Sequence, residues 1–206
     1  LNGATIQGNK QSIDHEEFLF GTNEVLPYTN IGGFGEFNAN IEATAVYRCN
    51  INIGPQLCIK NSLLDTSDCQ VRQSITESSN LRASIAPITV KQVVKTYNPE
   101  QGGIMLNAEI TFSKMTKGSV SNNIALDNPF TAQAISEKNP VSVEINYESI
   151  PMKCDSNKNF DDGILYWPND EDEQVLRCDV LVNEEQNSNL NINLDFIYKI
   201  TESKSI

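Results

Sequence analysis

Histidine is nearly absent: His15 is the only one in 206 residues. That removes the imidazole that most often serves as general base or metal ligand. No Gly-x-Ser-x-Gly elbow is present, and no Gly-rich phosphate loop leads into a helix. The paired acids Glu16-Glu17, Asp161-Asp162 and Glu184-Glu185 sit in polar, loop-like stretches, where adjacent carboxylates are normally just solvated. A catalytic centre is therefore not expected, and the chain reads as a non-enzyme. Basic residues are scarce too. Against 27 Asp and Glu stand 15 scattered Lys and Arg, a net charge of −12. Nucleic-acid binding needs clustered cations and is excluded on that ground. No apolar run approaches the ~18 residues of a membrane-spanning helix. The Asn-x-Ser/Thr acceptor of N-glycans is missing although Asn is abundant, which leaves secretion open but without that support. With no initiating Met and no basic-then-apolar leader, Leu1 reads as a processed terminus or the first residue of a piece of a longer chain.

What is present is alternation. From Leu190 to Thr201 apolar and polar residues take turns, placing Leu190, Ile192, Leu194, Phe196, Tyr198 and Ile200 on one face of an extended strand. Leu106–Phe112 and Val141–Tyr147 repeat the pattern. Ile41–Ile53 alternates as well, and Gly54-Pro55 is expected to turn the chain so that Gln56–Ile59 returns as its partner strand. Val71–Thr76 is a further strand. Ile88, Val90 and Val94 are expected on one face after Pro87, and Asn98–Gly103 reads as a turn. Ile164–Trp167 and Val175–Val182 complete a set spaced as sandwiches require. Only residues 124–137 leave room for a short helix. The expected fold is all-β. A smaller β-rich N-terminal unit, residues 1–82, carries Cys49, Cys58 and Cys69, and an immunoglobulin-like antiparallel β-sandwich follows over residues 83–206. At 39% apolar and 7% aromatic, the composition suits a modest core under polar loops.

Five cysteines occur with no Cys-x-x-Cys spacing, so a zinc cage is not expected. The remaining choice lies between disulfides outside the cell and buried thiols inside it. Disulfides are favoured because Cys154 and Cys178 flank one loop between strands that should be neighbours. Cys58–Cys69 is the expected second bridge, Cys49–Cys58 its competitor, and Cys49 the thiol left over.

Two segments carry candidate binding chemistry. Asp155, Asn157, Asn159, Asp161 and Asp162 place oxygen side chains along one loop, and Ca2+ takes six to eight such ligands. Phe160 occupies the place of the EF-hand glycine, and an ordinary polar loop has the same composition. Tyr166 and Trp167, the latter the only Trp, could stack on sugar rings, or could instead cap the end of the core.

Several segments in order, namely Glu42–Cys49, Leu57-Cys58-Ile59, Cys69, Ala86–Val90, Lys117–Val120, Cys154, Cys178 and a closing Leu190–Ile206, resemble a block in large cell-surface or secreted β proteins of small-genome archaea. The resemblance spans most of the chain from Gly21 onward. It implies a surface location and a multidomain setting, and it transfers no catalytic residue.

The function expected from all this is an extracellular structural or interaction protein. It would be a self-assembling surface or filament subunit, pairing with copies of itself or with other surface proteins. The short uncharged segment Leu1–Gly8 is a candidate for strand addition. The alternatives are a calcium-steadied adhesion or glycan-binding module, and a virion surface protein.

Overall fold

A computed structural model describes residues 5–7, 10–12, 40–64, 68–76, 81, 86–115, 118–121, 139–156, 158–168 and 171–205. Asn157, His15, the glycine cluster near Phe34 and the segment 124–137 lie outside them. The described residues contain strands and no helix. A short pair, β1 (Thr5–Gln7) and β2 (Lys10–Ser12), forms its own two-stranded ladder. The expected extendable N-terminal segment is thus partly engaged with its own next residues.

The remaining strands make two antiparallel sheets around one core. The first contains β3 (Asn40–Ile53), β4 (Gln56–Ile59), β8 (Ser119–Ser121), β9 (Asn139–Tyr147), β10 (Ile150–Pro151), β12 (Phe160–Asp161), β13 (Ile164–Trp167) and β15 (Gln186–Ser205). Its central path runs β12-β13-β9-β15-β3. The second has the order β11 (Lys153–Cys154), β14 (Glu173–Val182), β7 (Gly103–Lys114), β6 (Ile88–Glu100) and β5 (Arg72–Thr76).

Alternation explains which faces meet. Leu190, Ile192, Leu194, Phe196 and Tyr198 are buried on β15, as are Val141, Val143, Ile145 and Tyr147 on β9. Against them pack Leu106, Ala108, Ile110 and Phe112 of β7, and Leu176, Cys178 and Val180 of β14. Stacking two half-apolar sheets removes both apolar faces from water, which is the main driving term for such a fold.

Three expectations need correction. Gly54-Pro55 does not turn the chain. Ile53 lies opposite Ile192 and Gln56 opposite Asn189, so β3 and β4 run on in one register along β15. Pro55 lacks an N–H and leaves a gap in the ladder, yet its carbonyl accepts the Leu190 N–H at 2.8 Å. On β6 the face changes at a bulge between Val90 and Gln92. The extra residue moves Val93, Lys95 and Tyr97 inward, where Val94 had been expected. Finally, backbone ladders cross the expected boundary near residue 82: β3 and β4 pair with β15, and β5 pairs with β6.

Candidate functional site

The feature that stands out is a sheet edge. β15 has β9 and β8 on one side and β3 with β4 on the other. Among the described residues nothing pairs with the far side of β3, a strand of 14 residues. The hydrogen bond from Leu190 to Pro55 sets the phase of the ladder. In an antiparallel pair, hydrogen-bonded and non-bonded positions alternate, so odd-numbered residues of β3 and β4 point their backbone groups at β15. Even-numbered ones, Arg48, Asn50, Asn52 and Gln56 among them, point theirs at the open edge.

The side chains follow the same parity. Ile51, Ile53, Leu57 and Ile59 enter the core, while Arg48, Asn50, Asn52 and Gln56 are exposed. On the solvent face Arg48 makes a forked ion pair with Asp195, its Nε donating at 2.8 Å. That hydrogen bond is the main reason the Asp195 carboxyl titrates below its ordinary range. Asn52 donates to Asn193 directly opposite it, and Thr44 meets Thr201 at 3.0 Å. The abundance of Asn thus has a structural use: it lines the wet face of the β3–β15 ribbon.

Two disulfides brace the sandwich. Cys154 and Cys178 face each other on β11 and β14, with Cα atoms 3.9 Å apart. Cys58, on β4 of the first sheet, joins Cys69, which lies ahead of β5 of the second, at a Cα separation of 5.6 Å. The competitor Cys49–Cys58 is ruled out by the straight β3–β4 course. The loop closed by Cys58–Cys69 presents Leu63 and Leu64 to solvent, 59% and 77% exposed. Cys49 is the free thiol.

Burial, with a smaller contribution from the Asp195 carboxylate, pushes the Cys49 thiol up to about 11. Burial likewise raises the phenols of Tyr47 and Tyr147 to about 12. Acids with raised folded-state values favour the fold while protonated, and in the unfolded chain they ionise from about pH 9 for a thiol and 10 for a phenol. Stability is therefore expected to be complete below about pH 9 and to fall progressively towards pH 12. Urea midpoints measured at pH 7, 9, 10 and 11 test this, and a flat series would contradict it.

Of the candidate calcium residues, Asp155, Asn159, Asp161 and Asp162 are among the described residues and Asn157 lies outside them. Among the described residues no group of three or more His, Cys, Asp or Glu side chains is placed to hold a metal. Asn159 donates its side-chain amide to Gln174 at 2.9 Å. Asp161 and Asp162 belong to a hairpin: Asp161 pairs with Ile164, and Asp162 and Gly163 take φ of 45° and 77° between them. Asp-Gly with positive φ at both positions is the favoured two-residue turn between antiparallel strands, which gives Asp162 a structural role. Beside this hairpin a groove of about 420 Å3 opens along β9, lined by Glu144, Asn146, Met152, Phe160, Asp161 and Asp162, among others.

Trp167 is not a platform for sugars. It is 2% exposed and donates its indole N–H to the Glu171 carbonyl at 2.8 Å, and Asn139 donates to its own carbonyl at 3.1 Å. Only Tyr166 of that pair reaches solvent, and partly. Sequence reading missed Lys95, which is fully buried. A Lys inside a β alternation reads as solvent-facing until the bulge at Val90 is known.

No protein-family model, curated protein or solved structure matches this chain. No described helix is long and apolar enough to cross a membrane, a statement that does not bear on strand-built spans.

Proposed function

We propose that this chain is an extracellular interaction module of the immunoglobulin-like kind, and that it assembles with further copies by strand addition at the outer edge of β3. The observation that carries this reading is the row of outward backbone groups at Arg48, Asn50 and Asn52 on a 14-residue strand whose far side has no neighbour among the described residues. Such an edge is a template for another strand, and main-chain hydrogen bonds supply the affinity. Two disulfides are compatible with a non-cytoplasmic setting, where such bonds persist. The resemblance to surface proteins of small-genome archaea supports the same compartment.

The net charge of −12 works against association of identical copies, and salt screens it. Assembly is therefore expected to strengthen as ionic strength rises. Asn50→Pro is the decisive variant. Its N–H points away from β15, so proline removes an edge donor and keeps the internal ladder, a position where strands tolerate it. Light scattering and negative-stain microscopy should show oligomers or filaments for the parent and monomers for Asn50→Pro, with unchanged circular dichroism. A parent that stays monomeric at high concentration and salt, or a variant that assembles as well as the parent, refutes the reading.

A further inference from the structure

The least expected group in the core is Lys95. It projects inward from β6, is 0% exposed, and crosses to the opposite sheet, where its ammonium donates to the Cys58 carbonyl. Its Nζ lies 3.4 Å from Cys58 Sγ and 3.8 Å from Cys69 Sγ. The ring of Tyr97 lies 4.8 Å from the same nitrogen, and the Tyr97 hydroxyl stands 4.0 Å from Cys69 Sγ. A cation and a phenol thus surround one of the two disulfides. The two sulfurs also differ in access: Cys69 is 1% exposed, while Cys58 is only partly buried.

We propose that Cys58–Cys69 is a thiol-exchange site, at which an external thiol is captured on Cys58 while Lys95 holds the Cys69 thiolate. The incoming thiolate forms a new S–S bond to Cys58 Sγ. The Cys58–Cys69 bond breaks, and its electron pair leaves on Cys69 Sγ. The negative charge moves from the reagent to Cys69, and the number of disulfide bonds is conserved. Exchange is faster when the departing sulfur is a better leaving group, and a neighbouring ammonium makes it one. The Lys95 ammonium stands 3.8 Å from where that charge appears, and the Tyr97 hydroxyl, which donates to the Ser62 carbonyl at 3.3 Å, lies 4.0 Å from it. The direction of attack follows from access: Cys58 is a partly buried residue, whereas Cys69 is 1% exposed. The partner chemistry is any small or protein thiol that reaches the β4 end of the sandwich.

Cys154–Cys178 is the internal control. The adjacent cations Lys153 and Arg177 lie on the alternate faces of their strands, and Arg177 is occupied by Glu109 at 2.9 Å. The test treats the folded chain with reduced glutathione at pH 8 without denaturant, quenches with acid, caps free thiols with N-ethylmaleimide and locates each modification by peptide mass spectrometry. The expected product carries glutathione on Cys58 and the maleimide on Cys69, with Cys154–Cys178 intact. Lys95→Met should slow this exchange about three- to tenfold, and leave the rate in denaturant unchanged. Should Lys95→Met not fold, the parent still decides. Cys69 released by exchange should alkylate with a midpoint below the ~8.5 of an ordinary thiol. Glutathione on Cys69, equal rates in parent and folded Lys95→Met, or a Cys69 midpoint at or above ~8.5 would overturn the assignment.

Discussion

Reduction of both disulfides is expected to lower the free energy of unfolding by about 6 kcal/mol, because each bridge limits the unfolded chain by roughly 3 kcal/mol at these loop lengths. The bridged cysteines lie 11 and 24 residues apart, and the two loops do not overlap, so the restrictions are independent to first order. Domains are stable by about 5–15 kcal/mol in total, so a loss of this size takes much of the margin. With a urea dependence of about 2–3 kcal/mol per molar, the midpoint should fall by about 2–3 M when a phosphine reductant is present. Thiol counting gives the matching chemical result. Denatured protein without reductant should expose one alkylatable thiol, Cys49, and five with it. An unchanged midpoint, together with five thiols before reduction, would remove the bridges and with them the argument for a compartment outside the cell.

How much of this was legible in the sequence depended on whether neighbours left the period of two undisturbed. On β15 the expected row from Leu190 to Ile200 is buried residue for residue as far as Tyr198, with Ile200 half-buried at its end, since both of its neighbours run in register along it. Gly54-Pro55 misled because glycine and proline were read as punctuation. The better signal was phase. Ile51, Ile53, Leu57 and Ile59 keep odd parity across the dipeptide, as one continuous strand must. The bulge at Val90 was invisible, because Ile88, Thr89 and Val90 are all apolar enough to bury and no glycine marks the extra residue. Lys95 was hidden by the same slip. Burial of an ammonium depends on what the opposite sheet provides, here the carbonyl of Cys58, and no local pattern carries that.

The open edge was legible only in principle. Alternation identifies a strand, but whether it lies at the centre or the margin of a sheet depends on pairings far apart in sequence, such as Arg48 with Ile197. The Asp162-Gly163 hairpin, in contrast, was written in the sequence as Asp-Gly between Phe160 and Leu165. Its acids also share the composition that cation loops use, so composition alone leaves a polar turn and a cation loop both open.

Trp167→Ala is expected to cost about 3–5 kcal/mol, the range for removing a large buried aromatic. The indole is nearly inaccessible, packs in the common core and closes a hydrogen bond to Glu171, so truncation leaves both a cavity and an unpaired carbonyl. For a domain of this size, a loss of ~4 kcal/mol corresponds to a fall of about 8–16 °C in melting temperature. Trp167→Phe separates the two contributions. It refills most of the volume and should lose only the hydrogen bond, about 1–2 kcal/mol. As the only Trp, the residue also reports on itself: its fluorescence should be blue-shifted in the native protein and move to longer wavelength on unfolding. An exposed sugar platform would behave in the opposite way. Its removal would shift stability by no more than about 0.5 kcal/mol, as exposed sites do, and its emission would resemble that of free indole in water before any denaturant is added.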